Sequence, residues 1–210
     1  MKKLVRFFAI AAIAFGMTMA VACTDDPEDG PNGGGNSENL PTTIDENFNN
    51  GLPSTWTSID ADGDGYAWVD YSHSWFVSNG TGDPFGSDGS NCMVSASFIN
   101  NVGALNTDNY LVLPKMYIEE GSKLTYKIAS YQSEYADSYS VVIGKLENGV
   151  FTTTATLVNE TATTGIRENG GLGDKTIDLN EYKGQSVYIA FRHNCSDCYW
   201  LVLDDVKIAK

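Results

Sequence analysis

Alternation of apolar and polar residues with a period of two is the feature that most limits how this chain can fold. In "SKLTYKIAS", residues 122–130, the apolar side chains of Leu124, Tyr126 and Ile128 alternate with polar ones. This is the pattern of a β-strand with one buried face and one solvated face. A chain built from such segments buries its apolar residues by packing one sheet against another.

Similar runs occur in "SYSVVIGK", "GVFTTTATLV" and "QSVYIAFRH", and they are separated by the Gly, Asn, Asp and Ser residues typical of turns. In the last run, Val187, Ile189 and Phe191 fall on one side. We find no convincing helical periodicity of any length from about Ile44 to Lys210. We therefore expect residues 44–210 to form one all-β domain, an antiparallel jelly-roll β-sandwich.

The closing segment "YWLVLDDVKIAK", residues 199–210, changes its own period. Leu201 and Leu203 are apolar at odd positions, whereas the apolar residues after Asp205 fall at even positions. One unbroken strand cannot place both sets on the same face, so we expect a β-bulge at Asp204 and Asp205. Two interpretations remain open: both aspartates are solvated near a sheet end, or one turns toward a cation shared with another acidic segment.

The first 22 residues have the features of an export signal. Basic residues lead an apolar run, and the run ends in small residues before Cys23, in "AVAC". That ending resembles a bacterial lipobox, so residues 1–22 are predicted to be a lipoprotein signal peptide and Cys23 the lipidated first mature residue. The alternative is an ordinary secretory signal that happens to end near a cysteine.

Residues 23–43 are rich in Gly, Asn, Pro and acidic residues and contain few apolar ones, which predicts a flexible tether. The start of this segment, "TDDPED", resembles the export tag of Bacteroidetes surface lipoproteins. We therefore expect an outer membrane lipoprotein exposed at the cell surface, with membrane contact only through its lipid anchor.

The charge of the mature chain limits its partners. Removal of residues 1–22 takes away three of the 13 basic residues and none of the 27 acidic ones, so the formal charge becomes 10 minus 27, or −17. Nucleic acids and anionic lipids need a basic face, and we exclude both as partners. A divalent cation is a better candidate.

The turn "DADGDG", residues 60–65, places three acidic residues at alternate positions. In calcium loops of this type, side-chain oxygens at positions 1, 3 and 5 and a backbone carbonyl at position 7 meet the ion. These positions correspond to Asp60, Asp62, Asp64 and Tyr66. Position 12, a glutamate in an EF-hand, is Tyr71, and no helix flanks the turn, which excludes an EF-hand but not a calcium loop on a β scaffold.

Calcium takes six to eight oxygen ligands, and the turn supplies only about four. We expect the others to come from Asp204, Asp205 or Asn49, near the opposite chain ends. The alternative is an acidic, glycine-rich turn whose aspartates accept hydrogen bonds from their own backbone. Because three like charges so close together repel one another without a cation, the sequence favours bound calcium.

Three blocks of the sequence together resemble one known family. They are "FNNGLPSTWTSIDADGDGYAWV", "INNVGALNTDNYLVLPK" and "YIAFRHNCSDCYWLVLDDVKI". In this order they are similar to the cleaved adhesin domain, which occurs in haemagglutinin/adhesin regions of Porphyromonas surface proteases and in many Bacteroidetes surface lipoproteins. No matching block covers the chain from about Ser130 to Gly173.

The resemblance implies a jelly-roll domain stabilised by calcium, non-catalytic, that adheres to host proteins, haem proteins or other cell-surface ligands. It also implies that the three loop aspartates and the pair Asp204 and Asp205 form the cation region. Family members usually have Phe-Glu where this chain has Phe48 and Asn49, so one carboxylate ligand would be replaced by an amide oxygen.

A carbohydrate-binding module is the alternative function, because jelly-roll sandwiches with structural calcium also bind glycans through exposed aromatic rings. The candidate rings are those of Trp56, Trp68, Trp75 and Trp200, and we expect at most one of these tryptophans to contact a ligand. A structural spacer is a third class. We do not expect an enzyme, because the two histidines, His73 and His193, lie in strand-like segments with no evident nucleophile.

After acylation of Cys23, three cysteines remain, which predicts one disulfide and one remaining thiol without specifying the pair. Another, less expected arrangement is a zinc site of three cysteines and a histidine. Its ligands would be Cys92, His193, Cys195 and Cys198.

Overall fold

Two antiparallel sheets pack face to face in the computed structural model, which describes residues 39–72 and 86–210. The strands are β1 (Ile44–Glu46), β2 (Thr57–Asp60), β3 (Val69–Asp70), β4 (Met93–Ala96), β5 (Phe98–Ile99), β6 (Gly103–Ala104), β7 (Asn109–Val112), β8 (Met116–Tyr117), β9 (Lys123–Ser130), β10 (Ser138–Glu147), β11 (Val150–Thr161), β12 (Gly173–Asp178), β13 (Ser186–His193) and β14 (Trp200–Ala209). The short helix α1 spans Ile166–Asn169, and single 3₁₀ turns lie at residues 87–89, 133–135 and 180–182.

Neighbouring strands in the two sheets are mostly not consecutive along the chain, as in a jelly-roll sandwich and unlike a simple meander. The first sheet has the order β12, β9, β14, β4, β3, with β1 also beside β14, and the second has the order β11, β10, β13, β7, β2, with β8 beside β13. The last strand, β14, is therefore central in its sheet and pairs with strands from both ends of the domain. The predicted all-β jelly-roll class is confirmed, and so is the run of strands from residue 123 onward.

The main core fills the space between the sheets. Val187, Ile189 and Phe191 of β13 are buried there, as their shared side in the sequence indicates. A second cluster covers the outer face of the first sheet, where Trp200 and Val202 pack with residues of neighbouring strands. The alternating residues of β14 are thus buried on both faces.

The predicted bulge in β14 is present. Asp204 lies opposite Lys127 and Lys207 lies opposite Thr125, so β14 has one more residue than β9 over this stretch. Asp205, which lies within the bulge, has a φ of 48°. Because of this insertion, the apolar residues on both sides of it reach the same core, namely Leu201, Leu203, Val206 and Ile208.

Among the three cysteines that the structure describes there is one disulfide, as expected, and it joins Cys195 to Cys198. Cys92 is fully buried in the outer cluster of the first sheet and takes no part in this disulfide. The zinc site of three cysteines and His193 is therefore wrong: two of its thiols are joined to each other, and both ring nitrogens of His193 have other partners.

Several predictions concern segments outside the described residues. These are the signal peptide, Cys23, the tether as far as residue 38, and the side chains of His73 and Trp75. Within the described ranges, no helix has the length and apolar character needed to cross a membrane.

Candidate functional site

The acidic turn, residues 60–65, begins at the last residue of β2, and the structure brings its three carboxylates together. Asp60, Asp62 and Asp64 each place a carboxylate oxygen within 4.8 Å of the others. Asp60 fixes the turn, because its two oxygens accept the backbone N–H groups of Gly63 and Gly65, both at 2.7 Å. Gly65 has a φ of 89°, a conformation that glycine adopts without strain.

The other two aspartates tie the turn to its surroundings. Asp62 accepts the N–H of Asp64 at 3.1 Å and, with its other oxygen, the N–H of Asp108 at 2.6 Å. Asp64 accepts the N–H of Tyr66 at 2.8 Å. Partial burial, together with the like charges of Asp62 and Asp60, holds the pKa of Asp64 above its usual value.

The arrangement suits a hard cation. It offers only oxygen ligands, and none of the ion pairs found in the described part of the chain involves these three aspartates. The backbone hydrogen bonds are those expected of an acidic turn without an ion. However, a carboxylate oxygen that accepts one N–H retains a second lone pair, so the same oxygens can also coordinate a cation.

The carbonyl of Tyr66, predicted as a further calcium ligand, also has a partner within the protein. It accepts a hydrogen bond from the side-chain amide of Asn109 at 2.7 Å, and Asn109 is fully buried at the start of β7. This contact attaches the end of the turn to the second sheet. It also directs the carbonyl toward Asn109.

Asp204 and Asp205 do not join the acidic turn, contrary to the shared cation inferred from the sequence. Neither belongs to the set of carboxylates that lie within 4.8 Å of one another at that turn. The reason is topological: β2 and β14 belong to different sheets, and the turn lies beyond the end of β2, whereas the bulge lies within β14. Asp205 instead forms an ion pair of 2.9 Å with Lys127.

Asp204 lies in a different oxygen-rich environment. It is fully buried, and its Oδ2 accepts the N–H of Ser87 at 2.6 Å while its Oδ1 accepts the N–H of Asp205 at 2.8 Å. Burial raises the pKa of Asp204 above its usual value, although these two N–H groups act in the opposite direction. A buried carboxylate held in this way favours a neighbouring positive charge.

Further oxygens converge beside Asp204. A Cβ placed on Gly86 would lie 2.6 Å from the carbonyl of Asn91, 2.7 Å from that of Ser90 and 2.8 Å from Asp204 Oδ2. The side-chain oxygen of Asn91 is buried without a hydrogen-bond partner among the residues that the structure describes. Asn49 lies nearby, since it lines a surface pocket together with Asn91 and Asp70. The predicted metal ligands are thus separated: three carboxylates meet at the acidic turn, Asp204 lies in its own buried environment, and Asp205 pairs with Lys127.

A buried polar chain links the two sheets. His193 contacts Ser95 through Nδ1 at 2.9 Å and Asp137 through Nε2 at 3.0 Å, and all three residues are fully buried. Serine, histidine and aspartate are also the groups of a hydrolase triad. Here they are closed off from solvent, so they cannot meet a substrate and serve to join β4 and β13.

A small surface pocket lined by aromatic residues lies beside the connection between β13 and β14. Phe98, Tyr135, Asp197, Cys198 and Tyr199 line it. Tyr135 is an exposed residue, with 48% of its surface accessible.

Three of the four tryptophans are core residues, in agreement with the expectation that at most one serves a ligand. Trp56, Trp68 and Trp200 are exposed by 7%, 1% and 1%.

Sequence reasoning missed the residues that support these groups. Asp108 anchors Asp62 and is itself held by two hydrogen bonds from Arg192, of 2.6 and 2.9 Å. The only available signal was the position of Asp108 within the second family block. Asp137, Ser87 and Asn91 gave no local signal.

The fold and its oxygen-rich groups define a jelly-roll β-sandwich of the binding-module class. A family model described as the Cleaved Adhesin Domain matches residues 41–208. The chain belongs to the cleaved adhesin domain family. Domains of this family are non-catalytic adhesion modules, even where they are found within proteases.

Relatives with this domain include two large proteins of Porphyromonas gingivalis. Hemagglutinin A is 35% identical over 193 residues, which are 86% of this chain and 8% of that protein. Lys-gingipain is 34% identical over 196 residues, which are 88% of this chain and 11% of that protein. The chain spans between 7% and 17% of the length of the curated relatives it matches.

Among solved structures, the K1 cleaved adhesin domain of Lys-gingipain from Porphyromonas gingivalis W83 is similar to this chain with a TM-score of 0.63 and 31% identity. The match covers 80% of this chain and 98% of that domain. The K3 cleaved adhesin domain of the same protein has a TM-score of 0.62 and 33% identity, over 79% of this chain and 96% of that domain.

Proposed function

We propose that this protein is a calcium-stabilised adhesion domain carried at the bacterial cell surface by a lipid anchor on Cys23. Its ligands are host proteins, including haem proteins. The observation that carries the proposal is the match to the K1 domain of Lys-gingipain, which extends over 98% of that domain and therefore over a complete adhesin module.

Calcium is the cofactor that the site chemistry favours. The acidic turn gathers three carboxylates within 4.8 Å of one another, and the described surroundings of Asp204 add carbonyl and amide oxygens. Ligand sets made only of oxygen select hard cations. When bound, calcium would supply positive charge to Asp60, Asp62 and Asp64, and a second ion would do the same for Asp204.

The calcium proposal is tested by calorimetry on the chain without residues 1–22. An ion that binds only the folded state adds about 2.7 kcal/mol of stability when its concentration is 100 times Kd. For a domain of this size, that corresponds to an increase in melting temperature of about 5–10 °C. Equal melting temperatures with calcium and after chelation would contradict the proposal.

Adhesion is tested by measuring binding of the purified chain to immobilised host matrix proteins and haem proteins, in calcium. Saturable binding to a protein ligand is the expected result. A Cys23→Ala variant tests the anchor separately: it should lose incorporation of radiolabelled palmitate and leave the membrane fraction while keeping the same protein ligands.

A carbohydrate-binding module is the second candidate, and one observation favours it. The pocket of Phe98, Tyr135 and Tyr199 offers aromatic rings and the carboxylate of Asp197, which are groups that stack on sugar rings and bind their hydroxyls. A glycan array decides between the two functions, because binding there without binding to the proteins supports the carbohydrate module. A structural spacer would bind in neither experiment.

A further inference from the structure

We propose that Cys195 and Cys198, when their disulfide is reduced, form with Asp137 a binding site for a thiophilic divalent cation such as Zn²⁺. This site is separate from the oxygen ligands of the calcium proposal and does not depend on that proposal. Two cysteines with two residues between them have the spacing that zinc sites use. Here they lie in the connection between β13 and β14, where both sulfur atoms and a carboxylate oxygen of Asp137 are within 4.8 Å of one another.

Asp137 is the residue that indicates a ligand site. Its side chain is fully buried, and its Oδ1 accepts hydrogen bonds from Ser97 Oγ at 2.6 Å, from the N–H of Tyr199 at 3.4 Å, and from His193 Nε2 at 3.0 Å. Its Oδ2 is buried and has no hydrogen-bond partner among the described residues. A carboxylate oxygen removed from water without a partner is unfavourable, and a cation would provide that partner.

The surroundings of Asp137 hold its carboxylate in place. His193 contacts it through Nε2 and contacts Ser95 at 2.9 Å through Nδ1, so the histidine orients the carboxylate and is not itself a ligand. Metal-binding carboxylates commonly have such hydrogen-bonded support. Cys195 and Cys198 are only half-buried, which gives an ion access from solvent.

The ligand set selects the class of metal. Two thiolates and one carboxylate suit Zn²⁺ or Co²⁺ and do not suit Ca²⁺, which prefers oxygen ligands. With three protein ligands, a water molecule completes the four-coordinate geometry usual for zinc. Cys92 is not needed, and it is not in the group formed by Asp137, Cys195 and Cys198.

The site is controlled by the oxidation state of the cysteines. Two molecules of a low-molecular-weight thiol reduce the Cys195–Cys198 disulfide: the sulfur–sulfur bond breaks, each cysteine sulfur gains one electron and one proton, and the two reductant molecules join in a disulfide. When Zn²⁺ binds, the two thiols release two protons and coordinate as thiolates. The oxidised chain lacks these thiolates and does not form the site.

The test is Co²⁺ and Zn²⁺ titration of the chain without residues 1–23, in excess calcium to occupy oxygen sites. Removal of Cys23 leaves no N-terminal thiol that could bind the metal in either oxidation state. After reduction with dithiothreitol and its removal under argon, we expect one Co²⁺ per chain, with thiolate-to-cobalt charge-transfer bands and the visible bands of tetrahedral Co²⁺, both lost on addition of one Zn²⁺. The oxidised chain should show neither band. Bands in both forms, or in neither, would overturn the proposal.

Variants identify the ligands. Cys198→Ser should abolish the charge-transfer bands, and Asp137→Asn, which keeps the shape of the side chain, should weaken Zn²⁺ binding at least about tenfold. Cys92→Ser is the matched control and should bind Co²⁺ as the unchanged chain does. If Asp137→Asn does not fold, the proposal is still tested by comparing the Co²⁺ bands of the reduced unchanged chain with those of Cys198→Ser. Unaltered Zn²⁺ affinity in folded Asp137→Asn would remove Asp137 from the site.

Discussion

At the scale of single residues, Asp62 connects the acidic turn to the rest of the domain. One of its oxygens accepts the N–H of Asp64 within the turn, and the other accepts the N–H of Asp108 at 2.6 Å. Asp108 in turn pairs with Arg192, whose guanidinium lies 5.3 Å from the ring centre of Tyr110. A charge change at Asp62 should therefore affect both cation binding and the attachment of the turn to β7.

The first prediction concerns Asp62→Asn. We expect this variant to lose the part of the calcium-dependent increase in melting temperature that comes from the ion at the acidic turn, because it removes one of the three charges that attract that ion. The part that comes from the ion proposed at Asp204 should remain. Calorimetry with calcium and with a chelator measures the difference. Asp174→Asn is the matched control, since Asp174 is exposed on β12 and outside both oxygen groups. A full calcium shift in Asp62→Asn would exclude the turn as the site.

The second prediction compares the two neighbouring aspartates in the absence of calcium. Asp204→Ala leaves the partly buried N–H groups of Ser87 and Asp205 without their acceptor, at no more than about 1–3 kcal/mol for each group. Asp205→Asn loses only a partly exposed ion pair with Lys127, worth about 0.2–1 kcal/mol.

Urea denaturation measures both free energies of unfolding. The order of the two variants is the critical result. If Asp205→Asn were the more destabilised, the assignment of the buried role to Asp204 would be wrong.

At this scale, the sequence predicted what neighbouring residues do. The three turn aspartates meet because they lie two residues apart, and no distant part of the chain is needed to bring them together. The sequence could not predict the contact between Asp204 and Ser87. The two residues are 117 positions apart, and they meet only after β14 takes its place in the sheet.

At the scale of elements, the bulge in β14 determines which residues enter the core. Without the extra residue, strand alternation would turn the second half of β14 outward. β14 pairs with β4 before the bulge and with β1 after it, while β9 accompanies it on the other side throughout. The bulge therefore lies where the strand changes neighbours.

The third prediction is that deletion of Asp205 abolishes folding, or destabilises the domain by more than about 4 kcal/mol. The deletion would give β14 a regular register and move Val206 and Ile208, which are fully buried, to the opposite face. Asp205→Gly is the control: it keeps the residue count, and glycine adopts the φ of 48° without strain, so we expect a change of no more than about 1 kcal/mol.

Circular dichroism and thermal melting distinguish these outcomes. A deletion variant that folds with nearly unchanged stability would show that the register of β14 is not set by the bulge.

At the scale of the whole molecule, a polar network crosses the core between the two sheets. Tyr126 of β9 and Tyr139 of β10 place their hydroxyl groups 3.1 Å apart, and Tyr139 donates to Glu160 at 2.5 Å. Glu160 also forms an ion pair with Lys175 of β12. Burial raises the pKa of Tyr126 from 10.0 to about 12, with smaller effects from Tyr139 and Glu160.

The fourth prediction follows from that pKa. Because Tyr126 loses its proton more easily in the unfolded chain, its contribution to stability is complete below pH 10 and declines as the pH rises from about 10 to about 12. One such proton corresponds to about 1.4 kcal/mol per pH unit. Tyr126→Phe should reduce the alkaline slope of the unfolding free energy by about this amount.

Urea denaturation at several pH values between 9 and about 12 gives the slope. The control is Tyr135→Phe, because Tyr135 is exposed at the aromatic pocket, outside this network. An unchanged slope in Tyr126→Phe would show that Tyr126 titrates alike in the folded and unfolded chain.

The sequence by itself determined the β-sandwich, the bulge at Asp204 and Asp205, and the acidic turn. Each of these follows from residues a few positions apart, whose relative directions are set by strand and turn geometry. The family resemblance was also contained in the order of its three blocks, and the match over residues 41–208 confirms it.

Only the tertiary structure decided which distant groups meet. It separated Asp204 and Asp205 from the acidic turn, placed Asn91 beside Asp204, and brought Asp137 to the disulfide of Cys195 and Cys198. The physical reason is that such contacts depend on the pairing and register of whole strands, in which many weak interactions act together. No local pattern in the sequence specifies them.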